Sequence, residues 1–211
     1  FGMGGYSSFP VCLSSKILRI PFIIYENNML LGKTNKVLLP LAKKLFISFP
    51  QIEGVDNKYR EKVSFVGNII KEDILKYHHK TNLTKKDLNI LILGGSQGAE
   101  IFGKVLPQIF KKIKEESFSI KIFQQCLNSQ KNDIESFYQQ NNIEHEIFVF
   151  TSDILRYYRQ IDLVISRSGS SALAEFLNCN IPFITIPLPT AADNHQFLNA
   201  KFFEKKGLCY L

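Results

Sequence analysis

Short runs of consecutive apolar residues alternate along the chain with longer stretches in which apolar positions recur at helical spacing. The runs at 88–93 (LNILIL), 119–125 and 162–166 are typical of strands that are buried on both faces of a sheet. The stretch 98–115 has apolar residues three or four positions apart, which predicts a helix. This alternation predicts parallel sheets covered by helices, so the predicted fold class is α/β.

The alternation is interrupted by a polar stretch at 78–87 (HHKTNLTKKD), which has no apolar periodicity and predicts a linker. The sequence therefore predicts two units, residues 1–77 and residues 88–211. The further predicted strands are 21–25, 63–66, 147–150 and 183–186, and the further predicted helices are 34–44, 71–77, 132–140, one from Ser152, one after Gly169 and 194–206. The chain starts at Phe1 and a last strand is only begun at 208–211, so we expect a fragment of a longer protein.

Composition excludes several classes of protein. With 45% hydrophobic and 21% charged residues, the chain is too apolar for a disordered protein and long enough for a sizeable core. No apolar run reaches the roughly 18 residues that a membrane-spanning helix needs, so none is expected. The cysteines, like the four histidines, lack metal-ligand spacing, so we expect buried free thiols and neither a metal nor a cofactor.

The excess positive charge is confined to the first part of the chain. Residues 1–87 contain 14 Lys and Arg against 7 Asp and Glu, whereas residues 88–211 contain 12 of each. A basic face attracts nucleic acid, anionic lipid headgroups or a phosphorylated substrate. The alternative is a compositional bias toward lysine without functional meaning, and both interpretations stay open at this point.

A glycine-rich loop follows the apolar run at 88–93. The residues GGSQGA at 94–99 lead directly into the predicted helix. Glycines let the backbone approach a ligand closely, the helix N-terminus attracts a phosphate, and Ser96 adds a hydroxyl donor. The spacing matches neither GxGxxG nor GxxxxGK[ST], which disfavours a dinucleotide fold or a P-loop. A plain tight turn between strand and helix is the alternative.

A second loop, within 163–176, again follows a strand and opens a helix. Its hydrogen-bond donors are concentrated at Arg167, Ser168, Gly169, Ser170 and Ser171. Glu175 lies near the end of the second turn of that helix, where a carboxylate can accept hydrogen bonds from a ribose diol. The alternative for Glu175 is an ordinary solvated helix residue.

A third loop, within 187–200, presents His195 and Gln196 at the start of a helix. In the first unit, the sequence YENN likewise follows a strand; Glu26 is a candidate acid/base and Asn28 a candidate partner for a sugar hydroxyl. Ligands of parallel α/β sheets bind outside the carboxyl ends of the strands. All of these loops follow strands, so the sequence predicts a ligand site at that edge.

The ordered motifs resemble those of the MurG family of peptidoglycan glycosyltransferases. They are GMGGYSS, IPFIIYENN, TNK at 34–36, VGN at 66–68, GGSQGAE, SRSGSSALAE and PLPTAADNHQFLNA, and together they span essentially the whole chain. The resemblance implies the glycosyltransferase B (GT-B) fold, in which two Rossmann-like domains enclose a cleft. It also implies inverting transfer of N-acetylglucosamine from UDP-N-acetylglucosamine to undecaprenyl-linked lipid I, which forms lipid II at the cytoplasmic face of the bacterial membrane.

The resemblance assigns roles to individual positions. Those implied to hold the nucleotide are Ser96, Gln97, Thr151, Arg167, Ser168, Gly169, Ser170, Ser171, Ala172 and Glu175. Among them, the Ser96 loop is implied to hold the diphosphate, Thr151 the uracil and Glu175 the ribose. His195, Gln196 and, across the cleft, Asn28 are implied to reach the sugar. The family's membrane-facing domain is the N-terminal one, so the resemblance implies an anionic membrane surface rather than nucleic acid as partner.

Three features depart from the family pattern. Tyr25 stands where the family usually has histidine. Lys71, which the resemblance implies to bind the substrate, stands where the family has arginine; lysine keeps the charge but loses the bidentate fork. The family's candidate catalytic histidine would precede Phe1, which leaves Glu26 as the acid/base candidate within this chain. The alternatives are a transferase with a diacylglycerol acceptor and a sugar-nucleotide-binding subunit that needs a partner chain.

Overall fold

The computed structural model describes residues 1–79 and 87–211, with the side chains at 96–99 left out. The strands are β1 (Ile23–Glu26), β2 (Lys44–Ile47), β3 (Val63–Phe65), β4 (Asp87–Leu93), β5 (Ser119–Gln125), β6 (Glu144–Phe148), β7 (Leu163–Ser166) and β8 (Phe183–Thr185). The helices are α1 (Gly5–Ile17), α2 (Lys33–Leu38), α3 (Glu72–Leu75), α4 (Gly95–Glu115), α5 (Lys131–Gln140), α6 (Leu155–Tyr158), α7 (Ser170–Asn178) and α8 (His195–Glu204).

The strands form two parallel sheets, which confirms the predicted α/β class. The first sheet has the order β1-β2-β3, and the second has the order β6-β5-β4-β7-β8. In the second sheet the chain starts at the central strand β4, builds outward through β5 and β6, and then returns to the other side of β4 with β7. The position between β4 and β7, where the strand order reverses, is a topological switch point. Open α/β sheets bind ligands in the crevice at such a point, outside the carboxyl ends of the strands.

Strand β4 shows why the second sheet is buried on both faces. Successive side chains of a strand point to opposite faces. Ile90 and Ile92 belong to a cluster with Phe102 of α4, whereas Leu91 belongs to a different cluster with Phe176 of α7. All of these residues are buried. The continuous apolar run of β4 thus supplies two hydrophobic cores at once.

The first unit departs from the sequence prediction at its second strand. The predicted helix at 34–44 is wrong at its end, because α2 stops at Leu38 and β2 begins at Lys44. Pro40 explains the early stop, since proline removes a backbone donor and clashes with the preceding helical turn. The residues after it form a short strand that pairs with both β1 and β3.

Helix α3, which the sequence assigns to the first unit, packs on the second. Ile74 is buried in the core that contains α7, and the side-chain amide of Asn178 donates to the Ile74 carbonyl at 3.0 Å. The backbone N–H of His79 donates to the carbonyl of Cys179 at 2.7 Å. Of the predicted linker 78–87, residues 80–86 lie outside the described residues, and the unit boundaries stay a prediction.

Three of the four cysteines, Cys12, Cys126 and Cys179, are buried, Cys209 is half-buried, and all four thiols are free. Within residues 1–79 and 87–211, none of the helices combines the length and hydropathy that a bilayer crossing requires.

Candidate functional site

A cavity of about 380 Å³ lies at the carboxyl edge of the second sheet, in the crevice between β4 and β7. The three loops that the sequence predicted to converge all contribute to it. Their contributions to the wall are Gly94, Gly95, Arg167, Gly169, Ala172 and Gln196. The topology therefore brings together, around one volume, segments that are a hundred residues apart in the chain.

Two helices begin at this cavity. Their N-cap residues, Gly94 for α4 and Gly169 for α7, have no side chain with which to cap the first turn. Gly95 has φ +63°, a left-handed conformation that glycine adopts without strain. The side chains of Ser96 and Gln97 lie outside the described part of the chain, so the roles implied for them stay predictions. The backbone of both loops suits an anion.

Arg167 brings a fixed positive charge to the same cavity. Its guanidinium lies 4.6 Å from the ring centre of Phe102, and Nη1 donates to the carbonyls of Ile186 at 3.1 Å and Pro187 at 3.0 Å. Burial lowers the pKa of Arg167 from its ordinary value. An arginine nevertheless stays charged at neutral pH. The aromatic ring and the two carbonyls restrict the side chain, so little further ordering is needed when an anion binds.

The serines of this loop do not line the cavity with their side chains. Ser168 is fully buried, and its Oγ lies 2.7 Å from Oγ1 of Thr185 in the core. The hydroxyls of Ser170 and Ser171 accept hydrogen bonds from asparagines of the first unit. The loop was predicted to be rich in donors for a ligand, but its serine side chains serve packing and the contact between the units.

Glu175, on α7, and Lys71, which directly precedes α3, are two further candidates. Oε2 of Glu175 accepts a hydrogen bond from the Tyr158 hydroxyl at 3.1 Å. Burial raises the pKa of Glu175, and the Tyr158 hydrogen bond and the charge of Lys71 oppose that shift. Burial, together with Glu175, also raises the pKa of Tyr158. Neither candidate is among the residues that line the cavity, and the ribose role of Glu175 stays a prediction.

A second cavity, of about 360 Å³, opens between the two units. The first unit lines it with the Gly4–Gly5 loop and with Glu26 and Asn28, and the second unit lines it with Asp193 and His195. An ion pair between Lys33 and Asp193, with 3.5 Å between Nζ and Oδ1, spans its rim. The cavity thus has walls from both halves of the molecule.

The carboxylate of Glu26 is buried and fully engaged. Oε1 accepts hydrogen bonds from the backbone N–H of Asn28 at 3.1 Å and from its side-chain amide at 3.3 Å. Oε2 accepts from the N–H of Gly32 at 2.9 Å and from the side chain of Asn35 at 2.9 Å. Four donors on one carboxylate favour a residue that holds the loop in place over one that exchanges protons.

His195 and Gln196 are consecutive but line different cavities. Nδ1 of His195 lies 2.6 Å from the carbonyl of Ala192, which fits an N–H donor at Nδ1 and leaves the lone pair on Nε2. His195 lines the cavity between the units, whereas Gln196 lines the first cavity and accepts from the N–H of Leu188 at 2.9 Å. The start of α8 therefore contributes to the walls of both cavities.

Two further residues lie at the carboxyl edge, Thr151 after β6 and Gln125 at the end of β5. Thr151 follows β6 at the outer side of the sheet, where its hydroxyl accepts from the N–H of Asp153 at 3.1 Å, and its uracil role stays a prediction. Gln125, which the sequence analysis missed, ends β5 and lines the first cavity, and its Oε1 accepts from the N–H of Gly95 at 3.3 Å. The only available signal was its position directly after a predicted strand.

Comparison with known protein families explains this arrangement. A model of the C-terminal domain of glycosyltransferase family 28 matches residues 89–211, and a model of the N-terminal domain of the same family matches residues 1–47. The chain belongs to glycosyltransferase family 28. The family 28 C-terminal match contains all three loops of the first cavity, and the N-terminal match contains the loop that Glu26 holds.

Curated relatives support the same assignment. Proteins of Pelagibacter ubique and Rickettsia canadensis are 35% identical over 210 residues and 36% identical over 213 residues, respectively. Both are named UDP-N-acetylglucosamine–N-acetylmuramyl-(pentapeptide) pyrophosphoryl-undecaprenol N-acetylglucosamine transferase. Each match covers 99% of this chain but 58% and 60% of the relative, so this family 28 chain spans about three fifths of their length.

Solved structures agree. The crystal structure of Acinetobacter baumannii MurG matches 99% of this chain and 58% of that chain, with a TM-score of 0.79 and 29% sequence identity. The glycotransferase of kitacinnamycin, at 12% identity and a TM-score of 0.60, is similar in fold alone. These matches confirm the resemblance to MurG and the GT-B fold of this family 28 chain.

Proposed function

We propose that the chain belongs to an inverting glycosyltransferase that moves N-acetylglucosamine from UDP-N-acetylglucosamine to undecaprenyl-linked lipid I, forming lipid II in peptidoglycan synthesis. The observation that carries the proposal is the first cavity, which lies at the carboxyl edge of the second sheet, lined by Arg167 and the starts of α4 and α7, and is linked through consecutive residues of α8 to the cavity between the units. The names of the relatives supply the substrates.

In this proposal the first cavity holds the UDP diphosphate. The N-termini of α4 and α7 direct the positive ends of two helix dipoles at the phosphates, and Arg167 adds a full positive charge. When the bond between the anomeric carbon and UDP breaks, UDP leaves with the electron pair, and its departing oxygen gains negative charge. Charges and dipoles that are already in position stabilise that oxygen without reorganisation.

The sugar lies where the two cavities meet, between Gln196 on one side and His195 on the other. The acceptor hydroxyl enters through the cavity between the units and attacks the anomeric carbon from the face opposite UDP. The new glycosidic bond forms as the bond to UDP breaks, the configuration at the anomeric carbon inverts, and the hydroxyl proton is released to water. Glu26 keeps the Asn28 loop at the wall of that cavity. We assign Glu26 to positioning because its carboxylate already accepts four hydrogen bonds.

We further propose that the first unit rests on an anionic membrane surface, at the cytoplasmic face of the cell membrane. The candidate surface, which we term the basic apolar patch, surrounds a cavity of about 520 Å³ at the end of α1. It consists of Lys16, Ile17, Arg19, Ile20, Pro21, Leu41 and Lys43. Exposed isoleucine and leucine side chains among the cations favour a lipid surface over nucleic acid.

Binding and transfer test the proposal. We expect the 211-residue chain to bind UDP in a calorimetric titration more tightly than ADP, the matched control with the same diphosphate. We expect the full-length protein to transfer labelled N-acetylglucosamine to lipid I. Equal affinity for UDP and ADP contradicts the nucleotide assignment, and transfer to diacylglycerol instead of lipid I contradicts the acceptor assignment.

A further inference from the structure

Asparagines of the first unit contact residues 167–171 of the second unit, which we term the nucleotide loop because the proposed function assigns it to the nucleotide. The side-chain amide of Asn27 donates to Oγ of Ser171 at 3.0 Å, and that of Asn68 donates to Oγ of Ser170 at 3.0 Å. Both serines belong to the loop that also presents Gly169 to the first cavity. Two side-chain hydrogen bonds from the first unit therefore hold this loop.

Asn199, on α8, makes the most extensive of these contacts. Its side chain is fully buried, Oδ1 accepts from the N–H of Met29 at 3.0 Å, and Nδ2 donates to Oδ1 of Asn28 at 3.0 Å. Nδ2 also lies 3.4 Å from the carbonyl of Ser168. One amide group thus contacts the Asn28 loop of the first unit and the nucleotide loop of the second.

The position of Asn199 on α8 connects it to the substrate cavities. It lies three residues after Gln196 and four after His195, so its side chain is a neighbour of each of them on the helix surface. Farther along α8, the ring of Phe202 packs at 5.3 Å against Phe49 of the first unit. Apolar packing fixes the C-terminal part of this helix against the first unit, and Asn199 fixes its middle, one turn after the residues that line the cavities.

We propose that Asn199 is a positioning residue that couples the Asn28 loop to the nucleotide loop, so that docking of the first unit and nucleotide binding to the second favour each other. The inference rests on the proposed function. Asn28 lines the second cavity, and neither it nor Asn199 is among the residues that line the first. Coupling between two binding events is reciprocal, so losing the contact must weaken nucleotide binding.

A double-mutant cycle with UDP tests the coupling. UDP carries no sugar, so a direct contact between Asn28 and the sugar does not contribute. We expect Asn28→Ala and Asn199→Ala each to weaken UDP binding by about two- to tenfold, the effect of one hydrogen bond. The double variant should bind no more weakly than the weaker single variant, because both changes break the same contact.

Two further variants keep the test decisive. Asn199→Asp retains an acceptor for the N–H of Met29 but sets a carboxylate oxygen against Oδ1 of Asn28 and the carbonyl of Ser168, so it should fold with a lowered Tm and weaken UDP binding. Asn132→Ala, at an exposed position on α5, should leave the affinity unchanged. If the wild-type chain binds UDP and the Asn28 and Asn199 variants bind it equally well, or if their effects simply add, the inference is wrong. If the wild-type chain does not bind UDP, the proposed function fails and the inference fails with it.

Discussion

Replacing Glu26 by glutamine tests whether this buried carboxylate organises the first unit. Glutamine has the same shape but carries an NH₂ group in place of one carboxylate oxygen. In one orientation the NH₂ faces the two donors of Asn28, and in the other it faces the donors of Gly32 and Asn35. Either way, at least two hydrogen bonds to a charged acceptor are lost.

The structure sets the expected magnitude. At about 1.5 kcal/mol for each hydrogen bond to a charged group, Glu26→Gln should lower the free energy of unfolding by about 3 kcal/mol. In a chain of this length, each kcal/mol shifts the melting temperature by about 2–4 °C, so Tm should fall by roughly 6–12 °C. Circular dichroism melting at pH 7 measures the shift.

The matched control is Glu61→Gln, which removes one negative charge at an exposed position of the same unit and should leave Tm unchanged. A wild-type Tm for Glu26→Gln, accompanied by loss of glycosyl transfer in the full-length protein, would refute the reasoning. That result would mean that the carboxylate exchanges protons rather than holds the loop.

Two other predictions concern the nucleotide and the membrane. Glu175→Gln should weaken UDP binding by about 10- to 150-fold in calorimetry, which corresponds to a lost charged hydrogen bond of about 1.5–3 kcal/mol. It should not lower stability at pH 7: burial raises the pKa of Glu175, so the wild-type carboxyl favours the fold most when protonated, and that contribution is lost as the pH rises through its folded pKa. A lower Tm for Glu175→Gln at pH 7 would contradict this assignment. The triple variant Lys16→Ser, Arg19→Ser, Lys43→Ser should bind anionic vesicles more weakly, by about 1 kcal/mol of binding free energy per removed charge, as measured by co-sedimentation. The control variant Lys111→Ser, Lys112→Ser, Lys114→Ser, on α4, should bind them as the wild type does. Vesicle binding that salt leaves unchanged would argue against the basic apolar patch.

The elements of the second unit could be predicted closely because its central strands are buried on both faces. Such strands appear as continuous apolar runs, and β5 was predicted with the bounds that it has in the structure. Strand β2 was missed because it is only four residues long and begins with the exposed Lys44, so its pattern merged with the helix before it. A strand this short is fixed by its pairing with β1 and β3, and those partners are distant in sequence.

The candidate site was predictable as a set of loops but not as a set of side chains. Parallel topology brings every loop after a strand to one edge, so the convergence follows from the order of elements alone. Which way a side chain turns depends on partners elsewhere in the chain: Ser168 turns to Thr185, and Ser171 turns to Asn27. Asn199, in the middle of a helix, carried no signal in the local pattern.

The docking of α3 has a consequence for folding. A cooperative folding unit is defined by its shared core, and Ile74 lies in the core of the second sheet although its helix follows the first. Amide protons of α3 should therefore exchange with solvent at the rate of the second unit, not of the first. A second unit produced from residue 78 onward would lose a fully buried isoleucine and leave the Asn178 amide without its acceptor. We therefore expect the segment that folds independently to begin before α3, upstream of the point at which the sequence pattern changes.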